Sequence, residues 1–108
     1  MLTGKQKRYL RKEAHQMDPL FQIGKNGLSE QFIIQVDEAL EKRELFKITL
    51  LQNTDEELVE VANTLSDLLK AEIVQTIGRI VVLYRASKKE KNQKYSKQVQ
   101  KIRKNLDN

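Results

Sequence analysis

The chain has 108 residues, 39% of them apolar and 32% charged, which suits one domain with one core. No apolar run approaches the ~20 residues of a membrane span, and no apolar segment follows the N-terminal charges as in a secretion signal, so the expected location is cytoplasmic. The absence of cysteine excludes disulfides, thiolate metal sites and thiol nucleophiles together. The net charge of +5 is segregated: residues 1–28 carry six Lys/Arg against two acids, residues 86–108 carry eight against two, and the middle is acidic. Basic ends on an acidic body make a directed field, and nucleic acid is the partner such a field suits first, an anionic membrane second.

In chain order, Thr3 is placed to cap a helix running to about Gln16. Leu10, Ala14 and Met17 share one arc that suits packing on a sheet, while Lys5, Lys7, Arg8, Arg11, Lys12 and His15 sweep the other side with only Glu13 to compensate. Such a face is either solvated or a binding surface, and the shortage of acids favours binding. Asp18-Pro19 ends the helix, because the residue before proline is pushed out of the α region.

Leu20–Ile23 reads as a short first strand, and Gly24-Lys25-Asn26-Gly27 follows it. Asn-Gly is a common turn signal in its own right. Between a strand and a helix, however, two glycines let the backbone turn tightly and approach a ligand closely. The helix behind them offers free N–H groups and the positive end of its dipole to an anion such as phosphate. Lys25 adds a full charge, and Asn26 adds a donor and an acceptor. Ser29 is the expected N-cap of this second helix, with Leu28 and Ile33 as a hydrophobic staple that fixes the angle at which the loop enters. Phe32, Ile33, Val36, Ala39 and Leu40 repeat at helical spacing to near Arg43, with Glu30, Asp37, Glu38 and Glu41 expected in water.

Leu45–Leu51 alternates as a second strand with Phe46, Ile48 and Leu50 inward. Thr54-Asp55-Glu56-Glu57 has the form of a capping box opening a third helix, whose core stripe is Leu58, Val61/Ala62, Leu65 and Leu68/Leu69. Its acidic side, Glu56, Glu60 and Asp67, is expected to point away from any phosphate. Ile73–Ile77 is a third strand, broken at Gly78, and Arg79–Arg85 a fourth whose unbroken apolar run implies a central place in the sheet. The class is α/β: one small domain of order α-β-α-β-α-β-β with a mixed four-stranded sheet packed with helices, over residues 1–86. Residues 87–108 read as a basic tail, disordered by composition or a marginal helix along Tyr95, Val99, Ile102 and Leu106.

Ile23-Gly24-Lys25-Asn26-Gly27-Leu28, the acidic helix after it, and Thr76-Ile77-Gly78-Arg79-Ile80-Val81-Val82-Leu83-Tyr84-Arg85 together resemble the CRM domain (chloroplast RNA splicing and ribosome maturation), whose stand-alone bacterial form is the YhbY-like protein. The resemblance covers about residues 1–86. It implies an RNA-binding module without catalysis. Stand-alone members are associated with precursors of the large ribosomal subunit, and multi-domain relatives with organellar intron splicing. The family's glycine loop, comparable to that of KH domains, falls on Gly24, Lys25, Asn26 and Gly27.

An enzyme is the competing class. One histidine and no cysteine leave few nucleophile–base pairs, and no phosphate loop of the Walker type is present. No cofactor or metal is implied, and Asp55, Glu56 and Glu57 are explained as a cap. The expected RNA contacts are Gly24, Lys25, Asn26 and Gly27, flanked by Lys5, Lys7, Arg8, Arg11 and Lys12 of the first helix, with Arg79 and Arg85 at the strand ends. Tyr9 and Tyr84 are candidate stacking groups, with Tyr84 fitting the core better than a stacking role. The expected partner is ribosomal RNA of large-subunit precursors, with no membrane and no small-molecule substrate. An adaptor for another RNA or for an acidic protein patch is the alternative.

Overall fold

The structure, a computed structural model, describes residues 1–106, with the side chains of residues 1–103. Helix α1 (Gly4–Ala14) precedes strand β1 (Phe21–Ile23), helix α2 (Glu30–Arg43) and strand β2 (Leu45–Leu50). Helix α3 (Leu58–Leu69), strands β3 (Glu72–Ile77) and β4 (Ile80–Tyr84), a 3-10 turn at Glu90–Asn92 and helix α4 (Ser96–Leu106) complete it. The sheet order is β1-β2-β4-β3; β1 pairs parallel with β2, and β4 runs antiparallel to both its neighbours. This is the expected mixed sheet, with β4 in a central place.

Strand alternation splits the core in two. Ile23, Phe46, Ile48, Leu50, Val81 and Leu83 point to one face and pack with Val36 and Leu40 of α2 and Val61, Ala62, Leu65 and Leu69 of α3. Leu45, Val74, Val82 and Tyr84 point to the other face and meet Leu10 and Ala14 of α1 and Tyr95 and Val99 of the C-terminal segment. Two-sided burial explains the apolar run of β4. Met17 joins the second cluster at its margin as its arc with Leu10 and Ala14 predicts.

The parallel pairing puts the ends of β1 and β2 at one end of the sheet. β3 also ends there, because it too is antiparallel to β4. The 24–29 loop, the 51–57 loop and the Gly78-Arg79 turn therefore converge at that end: Leu51 N donates to Ile23 O at 2.9 Å, and Leu50 N to Arg79 O at 2.8 Å. Gly78 lies at φ +58, which lets β3 turn directly into β4.

Helix α3 corrects one expectation. It begins at Leu58, with Glu57 at the N-cap and no side-chain cap. Thr54 Oγ1 instead accepts from Glu56 N at 3.2 Å, a local turn. The pull of Leu51 toward Ile23 and the Thr54 N to Leu51 O bond of 3.3 Å keep residues 51–57 as a loop. Leu68, expected in the stripe, is exposed, and Leu69 takes the inward position.

The C-terminal segment is docked. Tyr95 and Val99 are buried, and Ile102 is half-buried; Leu106, also in that predicted stripe, and Lys104 lie outside the described side chains. Gln6 Nε2 donates to Val99 O at 2.8 Å, while its Oε1 accepts from Thr3 N and Thr3 Oγ1 accepts from Gln6 N. Thr3 thus caps α1 as expected. Its reciprocal partner Gln6, readable as Thr-x-x-Gln, also ties α1 to α4.

Candidate nucleic-acid interface

The loop after β1 is held on three sides. Gly27 N donates to Gly24 O at 3.1 Å, closing the turn. Ser29 caps α2 by accepting from Phe32 N at 3.1 Å, and Leu28 and Ile33 both pack on the core, as a staple requires. Lys25 and Asn26 at the tip are exposed. The glycines serve different ends. Gly27 sits at φ +59, where a side chain is strained, whereas Gly24 does not have a positive φ and is bounded by Asn53 Oδ1 at 3.4 Å and Leu51 Cδ1 at 3.5 Å from where a Cβ would stand.

A groove of about 340 Å³ opens beside the loop, lined by Gly24–Gly27 with Gln22, Ser29, Gln31, Phe32 and Gln35. Its side chains are neutral apart from Lys25, and the three glutamines offer both donors and acceptors. Phe32 is fixed in the wall by edge contact with Phe21, ring centroids 5.6 Å apart. The opposite flank of the loop differs from expectation. Glu56 does not face away: its Oε2 lies 2.9 Å from the position a Gly27 Cβ would take. That carboxylate repels phosphate on its own side, so the side open to an anion is the one with Lys25 and the amide-lined groove.

Helix α1 is not beside this loop. It packs on the sheet face opposite α2 and α3. Its N-terminal end is held where Leu2 N donates to Glu72 Oε1 at 3.0 Å, and its C-terminal end where Lys47 Nζ donates to His15 O at 3.2 Å. Lys5, Arg8, Arg11 and Lys12 are exposed and Lys7 half-exposed, as their pattern predicts, but they do not flank Gly24–Gly27. Sequence periodicity gives the outward face of a helix and not the sheet face on which it lands.

The model of the CRS1/YhbY (CRM) domain matches residues 2–85. The chain belongs to the CRM domain family. It is 50% identical over 91 residues to the protein named "Probable RNA-binding protein YqeI" of Bacillus subtilis, covering 84% of this chain and 95% of that one. It is 38% identical over 92 residues to a protein of Haemophilus influenzae named RNA-binding protein, covering 85% and 93%. The solution structure of SAV1595 from Staphylococcus aureus superposes with a TM-score of 0.69 at 54% identity, over 83% of this chain and 94% of that one.

Two of the cations expected in the interface are occupied within the CRM domain. Arg79 stands at the loop end of the sheet, but its Nε donates to Leu50 O at 2.8 Å and its Nη2 to Leu51 O at 2.6 Å, holding the end of β2. Arg85 lies at the far end: its Nη1 bonds Asp37 Oδ1 at 2.7 Å and Leu69 O at 2.9 Å, and its Nη2 bonds Asp37 O at 3.0 Å. It is a structural clamp between α2 and α3. Tyr84 is buried too, its hydroxyl 2.6 Å from Ser96 Oγ, and burial raises its phenol pKa. Its ring cannot stack on a base. Tyr9 is half-buried against the second core cluster, and burial, then the charge of Glu13, raises its pKa.

The polar centre that the sequence does not disclose is Glu44. It is fully buried at φ +67. Its Oε1 accepts from Tyr95 N at 2.8 Å and Ser96 N at 3.1 Å, so a carboxylate from the α2–β2 junction caps the N-terminus of α4. Its Oε2 accepts from Ser87 N at 2.7 Å and from the Ser96 hydroxyl. That hydroxyl spends its one proton on Glu44, so Tyr84 OH is the donor to Ser96 Oγ. Glu41, expected in water, also faces the tail: its Oε2 accepts from Ser87 Oγ at 2.6 Å and Lys88 N at 2.8 Å. The Ser87 hydroxyl, followed by the Lys88 and Lys89 N–H groups, holds its carboxyl below the usual range, against a smaller upward push from desolvation.

Proposed function

We propose that the chain is a non-catalytic RNA-binding protein that holds a single-stranded ribose-phosphate backbone at Gly24–Gly27. The observation that carries this reading is the loop itself. It is rigidly closed, it presents Lys25 and Asn26 without internal partners among the described residues, and it stands at the capped N-terminus of α2. Phosphate is met by Lys25 and by the dipole of α2. Bases carried on that backbone reach Gln22, Gln31 and Gln35 in the adjoining groove, where amides can pair with base edges. Relatives named as RNA-binding proteins support the ligand class. Relatives named for RNA binding, and for no reaction, are consistent with a non-catalytic role. The family resemblance supports large-subunit ribosomal RNA in precursor particles as the target, with a cytoplasmic site of action.

Replacing Lys25 with alanine tests the loop. Its side chain is exposed, so stability changes by less than about 0.5 kcal/mol. The log–log salt slope for single-stranded RNA falls by about 0.7, one phosphate contact. Unchanged affinity and slope would remove the loop from the interface. Sedimentation of a lysate on a gradient tests the target, with co-migration with free large-subunit precursors as the expected result.

A further inference from the structure

The sheet face opposite α2 and α3 carries two sets of exposed cations, one on α1 and one on α4, which pack together there. Lys5, Arg8 and Lys12 of α1 recur at i, i+3 and i+7, so they form one stripe. Tyr9 and Ile102 meet beside that stripe, and the five side chains line a groove of about 330 Å³ along the seam of α1 and α4. On α4, Lys97 and Lys101 are one turn apart and exposed. Glu13 is the one acid in α1, and α4 has none. Among the described residues, the only carboxylate within 4.0 Å of these five cations is Glu90, 3.9 Å from Lys97. The helices are fixed together by the buried Gln6–Val99 bond and by the grip of Glu44 on the start of α4.

We infer that α1 and α4 form a second RNA surface, separate from the loop, that takes the phosphate backbone of double-helical RNA. This rests on the reading of the chain as an RNA-binding protein, and it names a second kind of RNA segment. Lys5 to Lys12 spans about 10 Å along the helix, roughly three phosphates of one strand. Single-stranded RNA is bound by stacking on open aromatic rings, and this surface has none: Tyr84 and Tyr95 are buried and Tyr9 is half-buried. A lipid surface needs an outward apolar face on a basic helix, and none of the exposed large apolar side chains belongs to α1 or to the described side chains of α4. What remains outward is charge at regular spacing on a rigid frame, which matches a duplex backbone read by shape. α4 lies beyond residues 2–85 matched by the CRM model, so the surface is half family domain and half C-terminal addition.

The test uses the full chain and two probes: a duplex RNA of about 16 base pairs and a single-stranded RNA of similar charge. Three variants are compared: Lys5→Ala/Arg8→Ala/Lys12→Ala, Lys97→Ala/Lys101→Ala, and Lys25→Ala, each with a thermal melt to confirm folding. A glutamine series replaces any alanine variant that melts early. Both multiple variants should weaken duplex binding roughly tenfold or more and lower its salt slope by about two, while single-strand binding changes less than about twofold. Lys25→Ala should do the reverse. Duplex affinity and slope unchanged in either multiple variant would overturn the composite surface. So would tight binding of phosphatidylserine vesicles or polyglutamate, but not duplex RNA, that depends on these same cations. Loss of duplex binding in the multiple variants with no effect of Lys25→Ala would sink the loop reading and leave this one standing.

Discussion

The two polar centres of the molecule treat their charges in opposite ways. At Gly24–Gly27 a lysine and an asparagine stand in water, with the backbone around them locked by a turn and a capped helix. At Glu44 a fully buried carboxylate is saturated by three N–H groups and a hydroxyl, all from the C-terminal segment. The buried centre holds the molecule together and has nothing left over for a ligand. The loop contributes little to the core and keeps its donors available. A charged residue in this chain is therefore assigned by what already satisfies it, and by that measure Arg79 and Arg85 belong with Glu44 and Lys25 stands apart.

Breaking the buried centre should have the largest effect. Glu44→Ala strands four donors in a closed site, at a cost of about 3–5 kcal/mol in urea denaturation. Hydrogen exchange should show the N–H groups of Tyr95 and Ser96 losing protection first. Equal loss of protection across the sheet would mean that Glu44 does not specifically hold α4. Arg85→Ala should come next, at roughly 1–2 kcal/mol, because Leu69 O and Asp37 lose their partner near the surface. Its affinity for single-stranded RNA should not change; a reduced affinity would return Arg85 to the interface.

The loop glycines sharpen the other side of the comparison. Gly27→Ala meets a positive φ and should lose about 1 kcal/mol. The carboxylate of Glu56 that it approaches can swing aside. Gly24→Ala meets van der Waals contact with Asn53 and Leu51 and should be close to neutral in stability. If Gly24→Ala nonetheless weakens RNA binding, close backbone approach is the reason for the first glycine.

The smallest effect is a pH dependence. The Glu41 carboxyl is held below its usual pKa in the folded chain, so its contribution is present above the unfolded value. It is lost as pH falls through the folded one, in the acid range below the ordinary glutamate value. Melting curves of the wild type and Glu41→Gln should differ in neutral solution and converge as the pH is lowered through that window. Parallel curves throughout would show that Glu41 does not take part in holding Ser87 and its neighbours.

Much of the frame was legible because local signals coincide with tertiary ones. Ser29 caps α2 and Thr3 caps α1 because the groups concerned are three residues apart. β4 is central because an unbroken apolar run has to be covered on both faces. The Thr54–Glu57 signal failed for the converse reason: its Thr and Glu could form a cap, but Thr54 N is tied back to Leu51 O, which itself follows the strand pairing with Ile23, and Thr54 Oγ1 is taken by Glu56 N.

By itself the sequence determined the order of helices and strands as far as β4, the exposed loop tip and the outward cations of α1, since each follows from spacing within a few residues. Only the tertiary structure decided on which face α1 lies, that Glu56 shadows Gly27, that Arg79 and Arg85 are occupied, and that Glu44 anchors α4. These depend on which distant backbone groups come within hydrogen-bond reach. No pattern within one segment encodes that, because the partners lie on other strands and helices.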